Sequence, residues 1–416
     1  MNKKTIGIIA SGDEILSGRL VDTNSPWISN YFLQYGYQVK LIASAGDNIE
    51  NLISLIEYST KVLKNDVTIL TGGLGPTIDD KTRYAISKIL NKKLIFNFSA
   101  NQLYHKLMMD RGVKPGKVSD VKNIQCMLPE TTICIPNYFG TACGIKAIIN
   151  EKVLFALPGV PSEMKKMVEV LVQDNPKDFD IFGDQIYTEL ITLTNISESR
   201  LGEFIGKYMD GEIVTVGITA KLGYIHVSFS SKDHKSLLIC KDEVISLVQD
   251  YTLDVKGRKP AEKLLELCRE KGINMGSVES CTGGLVSSAM VELNGASEVF
   301  LAGATTYSNE SKMTLAKVSE NNLKDKGAVS EEVAEEMARG FAEKNKLELC
   351  LSTTGVAGPT GGTLEKPVGL VCMSVYYKGN SYNYSKVFNG DRTEVRKRAT
   401  SHVLCQAISV VDSNSK

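Results

Sequence analysis

In the last third of this 416-residue chain, the stretch GSVESCTGGLVSSAM sets Ser280 and Cys281 after a short apolar run and before two glycines, Gly283 and Gly284. Either side chain could attack a carbonyl. Amide hydrolysis needs such a nucleophile, a base to take its proton, and N–H donors for the oxyanion. A histidine base is hard to supply: of four histidines only His402 lies in this third of the chain, on its terminal helix. A lysine remains, because burial makes a lysine shed its charge. TTYSNESKMTL offers Lys312 just beyond an expected strand, with Tyr307 and Ser308 beside it. Strand ends of one sheet converge, so Lys312 can reach Ser280 across the intervening chain. The plainer role for Ser280 is helix N-cap, worth ~1 kcal/mol. Two details argue that capping is not its whole role. Gly283 stands where a capping box would have Glu or Gln, and two glycines in a first helical turn cost ~1 kcal/mol each. Ser280 is therefore expected to be both cap and nucleophile, and Cys281 a small core residue.

A second chemistry is written near the N-terminus. TGGLGPTIDD follows an apolar strand and precedes a helix, so Gly72, Gly73 and Gly75 let backbone N–H groups approach an anion. Asp79 and Asp80 could then hold a divalent cation bridging phosphate oxygens, or simply complement the helix dipole. SGDEILSGRLVDTNS, after the first strand, gathers Asp13, Glu14, Asp22, Asn24 and Ser25 in one loop. LPGVPSEM supplies a third turn, with Pro161 at the helix start and Glu163 in its first turn. Loops at the ends of neighbouring parallel strands meet where open α/β sheets bind ligands.

The elements that carry these loops read as α/β throughout. Strands TIGIIA, YQVKLIASA and DVTILTGG alternate with helical SPWISNYFLQYG, NIENLISLIEYSTKVLK and DDKTRYAISKILN, implying a parallel sheet covered on both faces over residues 1–170. Residues 171–255 start with the polar QDNPKDFD and hold QIYTELITLT, ESRLGEFIGKYM and YIHVSFSS, a small α+β domain. Residues 256–416 return to α/β: PAEKLLELCREKG (helix), INMGSVE (strand), CTGGLVSSAMVELN (helix), EVFLAGATTYSN (strand), SEEVAEEMARGFAEKN (helix), then strands LELCLSTTG and PVGLVCMSVYY and a long final helix.

Composition narrows the class. Lys plus Arg and Asp plus Glu both total 48, which argues against direct nucleic-acid binding. No apolar run approaches the ~18 residues of a membrane helix, and the apolar stretch from Ile6 to Ala10 is too short for a signal peptide. Nine scattered cysteines without a C-x-x-C pair suggest reduced core thiols in a cytoplasmic protein.

Taken together, GDEIL, TGGLGPTIDD, the Asn-x-Gln of KNIQCMLPE, PNYFGTACG and LPGVPSEM resemble the signature set of the CinA family, as do ESCTGG, YSNESK, TTGVAGPTGG with EKPVG, and FNGDR. The resemblance spans the chain in order. It implies an N-terminal molybdopterin-binding-like domain that hydrolyses ADP-ribose with a divalent metal (Mg, Mn or Co). By motif position that site comprises Gly12, Asp13, Glu14, Asn24, Ser25, Gly72, Gly73, Gly75 and Thr77, with Asp79 and Asp80 on the metal. Cys126, Tyr138 and Cys143 depart from the family's usual alanine and prolines beside this site. For the C-terminal domain it implies a nicotinamide-nucleotide amidase that needs no cofactor and converts nicotinamide mononucleotide to nicotinate mononucleotide and ammonia. Ser280 is then nucleophile, Lys312 base and Tyr307 a supporting group. Thr282, Gly283 and Gly284 would donate to the oxyanion, and Gly355, Gly358, Gly361 and Gly362 would cradle phosphate or ribose. Arg392 or Arg396 would be its charge partner, or else a solvated helix face. A homodimer is the family-like expectation. Two other readings stand beside this bifunctional one: a single active half with the other a nucleotide sensor, or a non-enzymatic competence partner. The intact Ser280 and Lys312 pair favours an amidase over the latter.

Overall fold

The computed structural model describes residues 4–33, 35–112, 124–174, 179 and 186–414. The chain divides into two compact units, Met1–Ile186 and Tyr187–Lys416. QDNPKDFD, expected to open the middle domain, lies mostly outside the described residues, and so does Asn123 of the Asn-x-Gln motif.

In the first unit, β1 (Thr5–Ser11), β2 (Gln38–Ala45), β3 (Val67–Thr71), β6 (Ile133–Ile135), β7 (Gly144–Ile149) and β8 (Lys152–Leu157) form one sheet, ordered β2-β1-β3-β8-β7-β6. β4 (Leu94–Phe96) and β5 (Met127–Pro129) make a separate ribbon. Every residue of β1 and β3 is buried, which is why both read as nearly unbroken apolar runs. The four strands β2, β1, β3 and β8 are parallel. β7 pairs antiparallel with both β8 and β6, and the parallel part of the sheet is the part that carries the loops. The reversal from β7 to β8 is a two-residue turn at Asn150 and Glu151, with φ of 52° and 62°, the left-handed geometry that matches strand twist. Ala10 pairs with Thr71 and Thr71 with Leu157, so β1, β3 and β8 finish side by side. The helix Pro161–Asp174 follows β8 and runs four residues beyond position 170.

The second unit holds two sheets. β9 (Tyr187–Leu193), β10 (Thr215–Ala220), β11 (Ile225–Ser231) and β12 (Thr252–Asp254) are all antiparallel, ordered β10-β11-β9-β12. Strict burial alternation along β11 turns Val227 and Phe229 onto Leu201 and Leu237 of the helices Glu198–Met209 and His234–Leu247. The other sheet is ordered β14-β13-β15-β16-β17, built from β13 (Met275–Glu279), β14 (Phe300–Thr305), β15 (Leu349–Gly355), β16 (Leu370–Tyr377) and β17 (Asn380–Val387). β14, β13 and β15 are parallel, and β16 and β17 complete the sheet as an antiparallel hairpin. Its two faces bury separate cores. One contains Met275, Leu349, Leu351 and Val403 of the helix Arg392–Ser413; the other contains Val278, Cys350 and Met337 of the helix Glu331–Asn345. Each such side chain, fully buried, contributes about 1.5–3 kcal/mol of transfer free energy, and both faces fix β13 at the sheet's interior.

Candidate active site

The site in the second unit begins where β13 ends. Ser280 is not a helix N-cap. The helix starts at Leu285, with Gly284 as N-cap and no side-chain cap hydrogen bond. Residues 281–284 form a turn in which Gly283 and Gly284 adopt φ of 61° and 95°, so the two glycines serve left-handed backbone rather than a weakened first helical turn. The role expected of Ser280 falls instead to Glu279. Its carboxylate accepts the N–H groups of Gly284, Val286 and Ser287 at 2.9, 3.0 and 2.9 Å.

Ser280 is held by its N–H, which donates to the Thr353 carbonyl of β15 at 2.8 Å. Its hydroxyl lies 3.1 Å from the Lys312 Nζ. Lys312 rides on the helix Asn309–Ala316, an element absent from the sequence reading, whose N-cap is Ser308 with Ser311 in a capping box. Its Nζ also donates to the Thr306 carbonyl at 2.9 Å, and Thr306 is fixed in turn by its N–H to the Glu279 carbonyl at 2.7 Å. Lys312 is 1% exposed, and no carboxylate among the described residues pairs with it. Burial without a counter-charge disfavours the ammonium and lowers the pKa from that of an ordinary lysine. A deprotonated Nζ can keep its N–H to Thr306 and present its lone pair to the serine hydroxyl.

Ser280, Lys312, Tyr307, Gly355 and Arg392 line one cavity of about 210 Å³, together with Cys281. Thr282, Gly283, Gly284, Gly358, Gly361 and Gly362 are not among its walls. The amide of Gly283 donates to the Ser280 carbonyl and that of Gly284 to Glu279, which removes these two glycines from the expected oxyanion donors. The amides of Cys281 and Thr282 turn toward the Cys281 sulfur. Cys281 belongs to the core, and burial pushes its thiol up to about 12. Arg392 donates to the Gly358 carbonyl (2.9 Å) and the Tyr307 hydroxyl (3.0 Å) at the cavity mouth. Arg396 is no solvated residue: it donates to the carbonyls of Cys281 and Thr282 at 3.1 and 2.7 Å. A second cavity of about 540 Å³ shares Ala357 and Arg392 with the first.

In the first unit, the ends of β1, β3 and β8 open into a cavity of about 580 Å³ lined by Glu14, Asn24, Gly72, Gly73, Gly75 and Asp80, with Gln125 and Glu163. Gly12, Asp13, Ser25, Thr77 and Asp79 are not in its walls. Asp13 exchanges hydrogen bonds with Asp47 across two backbone amides, each 3.1 Å. Asn24 Nδ2 donates to Thr71 and Gly159, and its buried Oδ1 has no partner among the described residues. Arg83, 1% exposed, donates to the carbonyls of Leu74 and Gly75 from beneath the glycine loop. Asp80 braces that loop: it accepts the N–H groups of Gly75 and Thr77, both at 2.7 Å, and the Thr77 hydroxyl. Asp79 is exposed. No group of three or more Asp, Glu, His or Cys among the described residues is arranged to hold a metal. The donors therefore do not form a self-sufficient cage; they fit only an ion that takes most of its ligands from phosphate and water, as Mg²⁺ does.

Two domain classes emerge from this arrangement. Residues 7–177 match the model of a probable molybdopterin binding domain, and residues 258–411 match the CinA C-terminal domain. A putative competence-damage inducible protein of Caldicellulosiruptor saccharolyticus is 34% identical over 408 residues, covering 95% of this chain and 97% of that protein. One from Clostridioides difficile is 35% identical over 417 residues, with the same coverage of 95% and 97%. The crystal structure of the competence/damage inducible protein CihA from Agrobacterium tumefaciens is 32% identical, covering 37% of this chain and 93% of that one at a TM-score of 0.36. The chain belongs to the CinA family.

Proposed function

We propose that the second unit is a Ser–Lys amidase that hydrolyses nicotinamide mononucleotide to nicotinate mononucleotide and ammonia. The observation that carries this reading is a buried lysine without a counter-charge, 3.1 Å from the hydroxyl of Ser280. Ser280 Oγ attacks the carboxamide carbon as its proton passes to Lys312 Nζ, and the carbonyl electron pair moves onto oxygen near the Cys281 and Thr282 amides. Collapse of this adduct breaks the C–N bond, and Lys312 returns the proton to the leaving ammonia. Water, deprotonated by Lys312, then adds to the Ser280 ester; collapse breaks the C–Oγ bond, Lys312 returns the proton to Ser280 Oγ, and the acid leaves as its carboxylate after losing its proton to solvent. The smaller cavity suits the pyridine amide. Arg392, shared with the larger cavity, supports a phosphate lying beyond the ribose.

For the first unit, the proposed substrate is ADP-ribose, bound over the Gly72–Gly75 loop. A divalent ion held by Asp80 or Glu14 together with the diphosphate would neutralise charge on the leaving phosphate. The chain's own part is to cradle the diphosphate on loop amides and to fix that loop through Asp80 and Arg83. The engagement of Asp80 in bracing favours a second reading of this unit, a nucleotide sensor that binds without turnover.

Ammonia release from nicotinamide mononucleotide by purified protein tests the amidase directly. Ser280→Ala should abolish it with the melting temperature held within a few degrees, since no cap is lost. Undiminished release from that variant would remove Ser280 from the mechanism.

A further inference from the structure

The carboxylate of Glu279 sits where the nucleophile's turn leaves the sheet. Glu279 is fully buried. Its Oε2 accepts the Thr282 hydroxyl at 2.7 Å and the amides of Gly284 and Val286 at 2.9 and 3.0 Å. Its Oε1 accepts the Ser287 amide at 2.9 Å, the Ser287 hydroxyl at 2.8 Å and the Ser277 hydroxyl at 3.3 Å. Thr282 is tied further to Thr353 on β15, hydroxyl to hydroxyl at 2.6 Å, the residue whose carbonyl holds the Ser280 amide. The donors come from β13, from the turn itself and from the first helical turn beyond it. Arg396 donates to the carbonyls of Cys281 and Thr282 in the same turn.

The geometry points to Glu279 as the positioning residue of the amidase, an anion that clamps the 280–284 turn onto the sheet and sets the Ser280 hydroxyl on Lys312. This inference rests on the Ser–Lys reading above. Three features single out a carboxylate. Three N–H groups and the Thr282 and Ser287 hydroxyls converge on its two oxygens, with the Ser277 hydroxyl shared between Oε1 and Ser287 Oγ, so both oxygens act as acceptors and neither position suits a donor. The buried charge is met by N–H dipoles at the helix start. A glutamine would set an N–H₂ group against three of those donors, and the turn would have to shift to relieve the clash. Because the same turn holds the nucleophile, a shift of ~1 Å is enough to slow the chemistry by ~10²-fold.

The test reads the rate constant for labelling of Ser280 by a fluorophosphonate, in which the Oγ–P bond forms, P–F breaks, and the serine proton passes to Lys312. This rate constant describes each folded molecule, so a loss of stability alone does not move it. In the full chain, Glu279→Gln should label 10- to 100-fold more slowly than wild type, and kcat for nicotinamide mononucleotide should fall in parallel with KM nearly unchanged. Thr282→Val and Ser287→Ala each remove one donor and should slow labelling by a smaller factor; they carry the test if Glu279→Gln does not fold. Wild-type labelling rates in Glu279→Gln, or in both single-donor variants, would overturn the positioning role. A wild-type protein whose Ser280 is not labelled would instead overturn the Ser–Lys reading, and this inference with it.

Discussion

Replacing Lys312 by methionine separates chemistry from stability. The side chain keeps nearly its length and apolar stem, so the buried volume stays filled. What disappears is the Nζ, with its contacts to Ser280 and the Thr306 carbonyl at 3.1 and 2.9 Å. Two hydrogen bonds contribute about 0.5–1.5 kcal/mol each, while burying an amine without full compensation costs about 1–3 kcal/mol. The two effects oppose each other, and the net change should lie within about 1–2 kcal/mol of zero. That corresponds to only a few degrees in melting temperature for a unit of this size. Amide hydrolysis should fall by at least the ~10²–10⁴ that general-base catalysis supplies. pH sharpens the test. Burial lowers the Lys312 pKa in the folded state, so between that value and the unfolded ~10.4 the unfolded chain binds more protons and wild-type stability rises with pH. The methionine variant lacks this contribution, so its stability relative to wild type should be highest at low pH and decline as pH approaches 10. The wild-type kcat/KM should likewise rise with pH along a limb set by Lys312. Melting curves from pH 6 to 10, run beside ammonia release, provide both readouts. A loss of more than ~4 kcal/mol, or a variant that still deamidates, would refute the picture of a neutral catalytic lysine.

Cys281→Ala should retain most activity, and the wild-type thiol should resist iodoacetamide at pH 8, because a thiol pushed up to about 12 carries almost no thiolate there; peptide mapping of the alkylated protein decides it, and rapid alkylation of Cys281 would contradict its burial. His402, pushed down to about 4 by burial, is neutral in the fold but takes a proton below ~6.5 when unfolded, so stability should fall as pH drops from 6.5 towards 4. His402→Phe should flatten that part of the stability–pH curve in denaturant titrations, and an unchanged slope would exclude the residue as its source. Asp80→Ala should weaken ADP-ribose binding by roughly tenfold or more in calorimetry even with chelator present, since three loop donors lose their acceptor; a loss seen only with Mg²⁺ would make Asp80 a ligand to the ion instead of a brace.

The fold was legible to the extent that burial imposes a period. β1 and β3 are covered on both faces and appear as IGIIA and VTIL; β11 is covered on one and alternates. The helices Pro260–Lys271 and Arg392–Ser413 announced themselves by apolar spacing, the first with a stop at Gly272, whose φ is 63°. Elements without such a period were missed. β17 is a largely exposed strand, NSYNYSKV, stabilised by its ladder to β16. The eight-residue helix bearing Lys312 has little amphipathic character and is defined by the reciprocal hydrogen bonds of Ser308 and Ser311.

The limits were similar at the site. Motif spacing brought Ser280 and Lys312 together, since both lie just past the ends of neighbouring parallel strands whose register sets Glu279 beside Thr305. The misassignment of Ser280 as a cap has a specific cause. An oxygen side chain next to a glycine-rich helix start satisfies the local pattern for capping, but pattern alone does not say whether the backbone turns before or after the glycines. Left-handed geometry at Gly283 and Gly284 delays the helix to Leu285 and moves its unpaired amides within reach of the residue before the nucleophile. Glu279 was readable only as the last residue of a strand, where an acid is ordinarily solvated. Its burial becomes favourable because Thr282, Ser287 and Ser277 recur at the spacing that closes hydroxyls over it. A carboxylate at a buried strand end, followed at short range by several hydroxyl residues and paired glycines, therefore signals a turn clamped by an anion. In such a turn the amides at the helix's positive end are already taken by the carboxylate, as those of Gly284, Val286 and Ser287 are by Glu279.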